Sequence, residues 1–198
     1  MFSVMRDLHN YNYFNIMIRK IITYPNPILK KIARPVINFD DELKQVISDM
    51  IETMFDAPGA GLAAPQIGLS RQLVIINTSK KEEDADHKAI ALINPQIYDG
   101  EGSESAEEGC LSVIDYTAKV KRFKKIRVKA LDASGTEIDF EAEDFFARVI
   151  QHECDHLQGK LFIDRISSLK RGLYKKKLKK ILAEKENEAK IKKRIVKR

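Results

Sequence analysis

Residues 151–156, Gln151-His152-Glu153-Cys154-Asp155-His156, set two histidines four positions apart with a glutamate directly after the first. On an α-helix, side chains four apart return to the same face one turn later. Two imidazoles stacked in that way can share one transition-metal ion, and the glutamate reaches a water bound to it. Val149, His152, Glu153 and His156 follow an i, i+3, i+4, i+7 pattern, so the metal face continues an inward apolar stripe. A helix over residues 144–158 is predicted, with acidic Glu143 and Asp144 at its start and Gly159 just past its end.

The same HExxH pattern also arises by accident on solvent-facing helices, and it supplies two ligands where a catalytic site usually takes three. The third must come from elsewhere in the chain. Cys154 follows His152 by two and so points about 200° round the helix, which makes it an ordinary buried thiol. The other cysteine lies in Glu107-Glu108-Gly109-Cys110-Leu111-Ser112-Val113, a segment expected between strands. As a ligand, Cys110 completes a set of one thiolate and two imidazoles with a fourth position open. As a nucleophile it would instead form a Cys–His dyad, which the HExxH context disfavours because a metal there would capture the thiolate.

Upstream of that segment, Leu43, Val46, Ile47, Met50, Ile51 and Met54 fall on one helical face after a start at residues 38–41, and form a core helix. The small-residue stretch Pro58-Gly59-Ala60-Gly61-Leu62-Ala63-Ala64-Pro65-Gln66-Ile67-Gly68 lacks the lysine and hydroxyl of a phosphate loop, so its glycines serve close backbone approach. Residues 73–77 and 90–94 have strand character, with a charged loop over residues 80–88 in which His87 is a solvated surface residue. Ile126-Val128-Ala130 and Thr136-Ile138-Phe140 alternate with charged residues around the turn Asp132-Ala133-Ser134-Gly135, a hairpin. Helix, antiparallel strands, then the HExxH helix make an α+β fold: antiparallel β-sheets packed around a central metal-binding helix. Residues 1–17 form an N-terminal extension in which Met17 is a candidate start, and residues 18–24 a short strand or extended arm.

At 198 residues and 43% apolar content the chain supports one core and holds no run of membrane-spanning length. The N-terminal region has no apolar core of a secretory signal, so both cysteines are expected reduced in a cytoplasmic compartment of bacterial type, an organelle remaining open. Residues 170–198 carry fourteen Lys or Arg against three Glu, a local +11 in a chain of net +6, so an acidic body bears a basic tail. Leu173, Leu178, Ile181 and Leu182 amid those lysines predict a long, mostly exposed C-terminal helix over residues 169–198. Such a tail is either a solubilising surface or an RNA-binding one that gains affinity by counterion release.

Three segments together resemble, in order and spacing, the signature motifs of the peptide deformylases: GAGLAAPQ at 59–66, EGCLS at 108–112 and QHECDHLQGKLF at 151–162. The resemblance extends to YPNPILKKIARPV at 24–36 and ALDASGTEIDFEA at 130–142, covering a catalytic domain of residues 18–168. It implies removal of the formyl group from the formyl-methionine of nascent polypeptides. The metal would sit on Cys110, His152 and His156: ferrous iron in cells, with zinc, nickel or cobalt able to substitute. By the same resemblance, metal-bound hydroxide attacks the formyl carbonyl, Glu153 is general acid and base, and the Gln66 amide and Leu111 N–H stabilise the oxyanion. Gly61 and Gly109 would border the peptide and a methionine pocket would lie near Phe145 and Val149. The basic helix would dock on the ribosome through rRNA; DNA and membrane are not expected partners.

The chain departs from the family pattern at Ile114 (commonly proline), Thr117 (often arginine), Asp144 (commonly glycine) and Ala60 (a larger aliphatic). None is a ligand, general base or oxyanion group. Two rival functions remain: an HExxH zinc endopeptidase, which would cleave internal peptide bonds, and a non-catalytic ribosome-associated protein, against which the intact set Cys110, His152, Glu153, His156 and Gln66 argues.

Overall fold

The stripe Leu43, Val46, Ile47, Met50 and Met54 becomes the buried face of α1 (Asp41–Asp56), whose first turn is capped by the Asp40 carboxylate accepting from Leu43 N at 2.9 Å. The structure is a computed structural model that describes residues 16–78 and 88–196; the expected extension before residue 16 and the charged loop through His87 lie outside the described residues. Among these residues, α1 is followed by β1 (Gly61–Ala63), β2 (Leu73–Asn77), β3 (Ala89–Glu101), β4 (Glu104–Cys110), β5 (Val113–Arg122), β6 (Lys125–Leu131) and β7 (Glu137–Glu143). Then come α2 (Asp144–Leu157) and α3 (Ser168–Val196).

All paired strands are antiparallel, in a five-stranded sheet of order β1-β2-β3-β6-β7 and a separate two-stranded ribbon β4-β5. Alternation along β2 explains the layering. Leu73 and Ile75 pack with Leu43, Ile47 and Met50 of α1, whereas Val74 and Ile76 pack with Ala147, Val149 and Ile150 of α2. The sheet therefore lies between the two helices. The expected hairpin is present as β6-β7, with Ile126, Val128 and Ala130 inward. Outward, Lys125, Arg127 and Lys129 sit opposite Glu143, Glu141 and Asp139, a charged ladder next to the sheet edge.

Several elements extend beyond what the sequence indicates. β3 continues to Glu101 because irregularities between Ile93 and Gln96 absorb Pro95, and Asn94 takes a left-handed φ of 51° there. The segment expected between strands, residues 107–113, is instead the end of β4, a two-residue turn and the start of β5. The glycine-alanine loop holds β1 and a 3-10 turn, Ala64–Ile67. Residues 18–24 are the extended arm, tied down by Ile22 N donating to Gln66 O (2.7 Å) and Tyr24 N to Ser112 O (2.8 Å). On α3 the docking residues are Tyr174 and Leu178, both nearly inaccessible, while Leu173 is 62% exposed. They close a third core cluster with Leu29, Val113, Val120, Leu161 and Phe162.

Candidate metal centre

α2 begins at Asp144 and carries Ala147, Val149 and Ile150 into the core, and this drives His152, Glu153 and His156 inward with them. Asp144 adopts φ 51°, the left-handed conformation that glycine takes at least cost. Cys110 is the last residue of β4, just after a register shift that separates it from Glu108. The Cys110 sulfur and one nitrogen of each of His152 and His156 all lie within 4.8 Å of one another, with Cys110 Sγ 3.3 Å from His156 Nε2.

Surrounding bonds aim these groups. His152 Nδ1 meets Glu108 Oε2 at 3.0 Å, which leaves its other nitrogen for the centre. Burial lowers the His152 pKa, but hydrogen bonds to Cys110 and Glu108 outweigh that and raise it to about 10. His156 is driven well below its usual range, first of all by burial, which favours the neutral imidazole. The Glu153 side chain is buried with Oε2 unpartnered, and burial pushes its pKa up to about 7. A soft thiolate, two imidazoles and a buried carboxylate with a vacant lone pair fit a divalent transition metal.

Gln66 is 1% exposed; its Oε1 accepts from Ala63 N (2.7 Å), so its amide nitrogen is turned toward Ser112 Oγ (3.2 Å) and Cys110 Sγ (3.7 Å). Leu111 opens the turn between β4 and β5. Gly61 has a steric role that sequence did not indicate: a Cβ there would come 2.7 Å from Glu153 Oε1. Gly109 is exposed on β4, and its added Cβ would meet Thr117 at 3.5 Å. Val149 is buried, whereas Phe145 stands 69% exposed at the start of α2, two turns from His152. Cys154 lies against the main core, and burial pushes its thiol up to about 12, consistent with an inert thiol.

The sequence did not single out the ion network behind His152. Glu108 receives Arg122 Nε and Nη2, each at 2.9 Å, and Arg148 Nη1 at 2.7 Å; Arg122 Nη1 also reaches Asp155 at 2.5 Å. Burial raises the Glu108 pKa, yet the bonds from His152 and Arg122 hold it down at about 2. The available signal was position: Arg148, His152 and Asp155 share one helical face, and Arg122 falls on an inward position of β5.

Fold and site together outline a centre of the HExxH type, in which a cysteine sulfur beside two imidazoles forms a group that could hold a metal ion. Residues 18–172 match the polypeptide deformylase family. A peptide deformylase of Desulfotalea psychrophila is 51% identical over 163 residues, covering 82% of this chain and 96% of that protein. The crystal structure of a peptide deformylase from Legionella pneumophila superposes with a TM-score of 0.78 at 43% identity, covering 85% of this chain and 98% of that one. The Ehrlichia chaffeensis peptide deformylase in complex with actinonin gives 0.77 at 33% identity, covering 83% and 98%. The chain belongs to the polypeptide deformylase family, metal-dependent enzymes that remove the formyl group from new polypeptides.

Proposed function

We propose that Cys110, His152 and His156 hold one divalent ion, ferrous iron in cells, and that Glu153 moves the proton as N-formylmethionyl peptides are hydrolysed. The observation that carries this is the convergence of the three donor atoms within 4.8 Å beside the unpartnered Glu153 carboxylate oxygen. A metal bound there supplies Lewis acidity toward a water and the formyl oxygen. Glu153 accepts the proton of the attacking water and passes it to the amine nitrogen as the carbon–nitrogen bond breaks, yielding formate and a free N-terminus.

The Gln66 amide nitrogen and the Leu111 N–H serve as donors to the oxyanion. Among the described residues β1 pairs with β2 alone, so its outer edge, apart from Ala63 N held by Gln66 Oε1, can pair with an extended peptide whose backbone runs past Gly61. Buried Val149 and exposed Phe145 on the first turns of α2 are the proposed apolar lining of the methionine pocket, with Gly61 and Gly109 bordering the peptide. A cytoplasmic location agrees with the described residues, in which no helix is long and apolar enough to cross a membrane.

Beyond the docked Tyr174 and Leu178, α3 carries the exposed Lys179, Lys180, Lys185 and Lys190, which supports contact with rRNA near emerging substrates. The proposed domain order is an extension over 1–17, the catalytic unit from 18 and the basic helix from 169. The decisive test is formate release from a formyl-Met peptide by anaerobically purified protein. Activity that is lost in Glu153→Ala supports the assignment; cleavage of internal peptide bonds without formate would replace it with endopeptidase chemistry.

A further inference from the structure

The ribbon that carries Cys110 is only two strands wide, and a lone two-stranded ribbon is marginal in water. Its ladder is also irregular just before Cys110, so the strand pairing does not by itself fix where the sulfur lies. What packs against the ribbon does. Cys110, Ile114 and Tyr116 lie against the cluster closed by Tyr174 and Leu178 of α3. The rings form a continuous stack: Tyr174 on Tyr116 at 4.6 Å between centroids, Tyr116 on Phe162 at 6.1 Å, and Phe162 on His152 at 6.2 Å. Lys177 Nζ, one turn along α3, donates to Asp115 O at 2.8 Å, where the chain takes a left-handed φ of 48°. α3 thus grips the outer side of the ribbon at residues 113–116.

We propose that Tyr174 is a positioning residue for the metal ligands, holding Cys110 through the ribbon and the His152 ring through Tyr116 and Phe162. The first turns of α3 are then part of the metal centre's framework, and only its distal turns are free to serve a partner. The ring face does this work, so phenylalanine replaces tyrosine there and alanine does not. The inference rests on the proposed ligand set, and one experiment separates the two. The full-length cobalt-loaded protein is monitored by its thiolate-to-metal absorption and by the rate of metal loss to a chelator.

Absence of that absorption in the parent protein would overturn the ligand set itself. With it present, Tyr174→Ala is expected to shift the band and speed metal release by about tenfold or more, the scale on which outer-shell changes act. Tyr174→Phe is expected to stay within about twofold, as is the control Leu173→Ala, an exposed position on the same helix. A merely structural residue would lower thermal stability without moving band or release rate, and that result for Tyr174→Ala overturns the proposal. Should Tyr174→Ala fail to fold, Tyr174→Leu keeps most of the volume without the ring, and unchanged release in that variant overturns it equally.

Discussion

Replacing Glu108 by glutamine keeps the side chain's shape but removes the one charge that Arg122, Arg148 and His152 share. The Glu108 carboxyl is held from 4.5 down to about 2, which corresponds to about 3 kcal/mol favouring the carboxylate in the folded state. Breaking one partner out of a buried ionic set costs about 3–5 kcal/mol, and the glutamine oxygen still accepts one bond, so the lower end is expected. Urea unfolding should show a midpoint fall of about 1.5 M at an unchanged slope near 2 kcal/mol/M. Metal affinity should drop about 10–100-fold, because His152 loses the acceptor that orients it. The sign with pH follows from a depressed carboxyl: its stabilisation is fully present above 4.5 and disappears as pH falls toward about 2. The gap between parent and Glu108→Gln should therefore close across that interval. A loss below about 1 kcal/mol at neutral pH, or a gap constant down to acid pH, would refute the reasoning.

Three other outcomes are expected. Gly61→Ala should keep metal content and fold but lower kcat about a hundredfold, since the new Cβ would displace Glu153 from 2.7 Å; an unchanged kcat contradicts this. At Asp144, with φ 51°, glycine should leave stability within about 0.5 kcal/mol and valine should lower it by about 1–2 kcal/mol in thermal melts; equal effects would show that the conformation is not enforced. The iron form should lose activity in air through its soft thiolate site while nickel and cobalt forms persist; equal air stability would count against the thiolate ligand.

The helical face of α1, the β6-β7 hairpin and the HExxH helix were legible because each repeats its apolar residues at a period that local geometry fixes. The ribbon β4-β5 was not read, although β5 alternates Ile114, Tyr116, Ala118 and Val120 with Asp115, Thr117, Lys119 and Lys121, because its partner β4 carries Glu104, Ser105, Glu107 and Glu108 and no large apolar residue to mark an inward face. The ion network escaped for a different reason. Glu108, Arg122 and Arg148 meet across 14 and 40 residues, and a buried charge looks like any surface charge until its partners are in place. The same holds for Tyr174: the leucines of a lysine-rich helix indicate an apolar stripe, but which residues dock depends on the surface that receives them. Of the proposed ligands, His152 and His156 were legible from their spacing, whereas Cys110 stood as one of two readings until motif order was considered, since nothing local in EGCLS says that its sulfur faces two histidines more than forty residues away.

X-ray absorption on the metal-loaded protein tests the central claim most directly. One sulfur at about 2.3 Å and two imidazole nitrogens at about 2.0–2.1 Å around a single zinc ion are predicted, with the sulfur lost in Cys110→Ala. A first shell of nitrogen and oxygen alone, identical in the parent and in Cys110→Ala, would contradict the account.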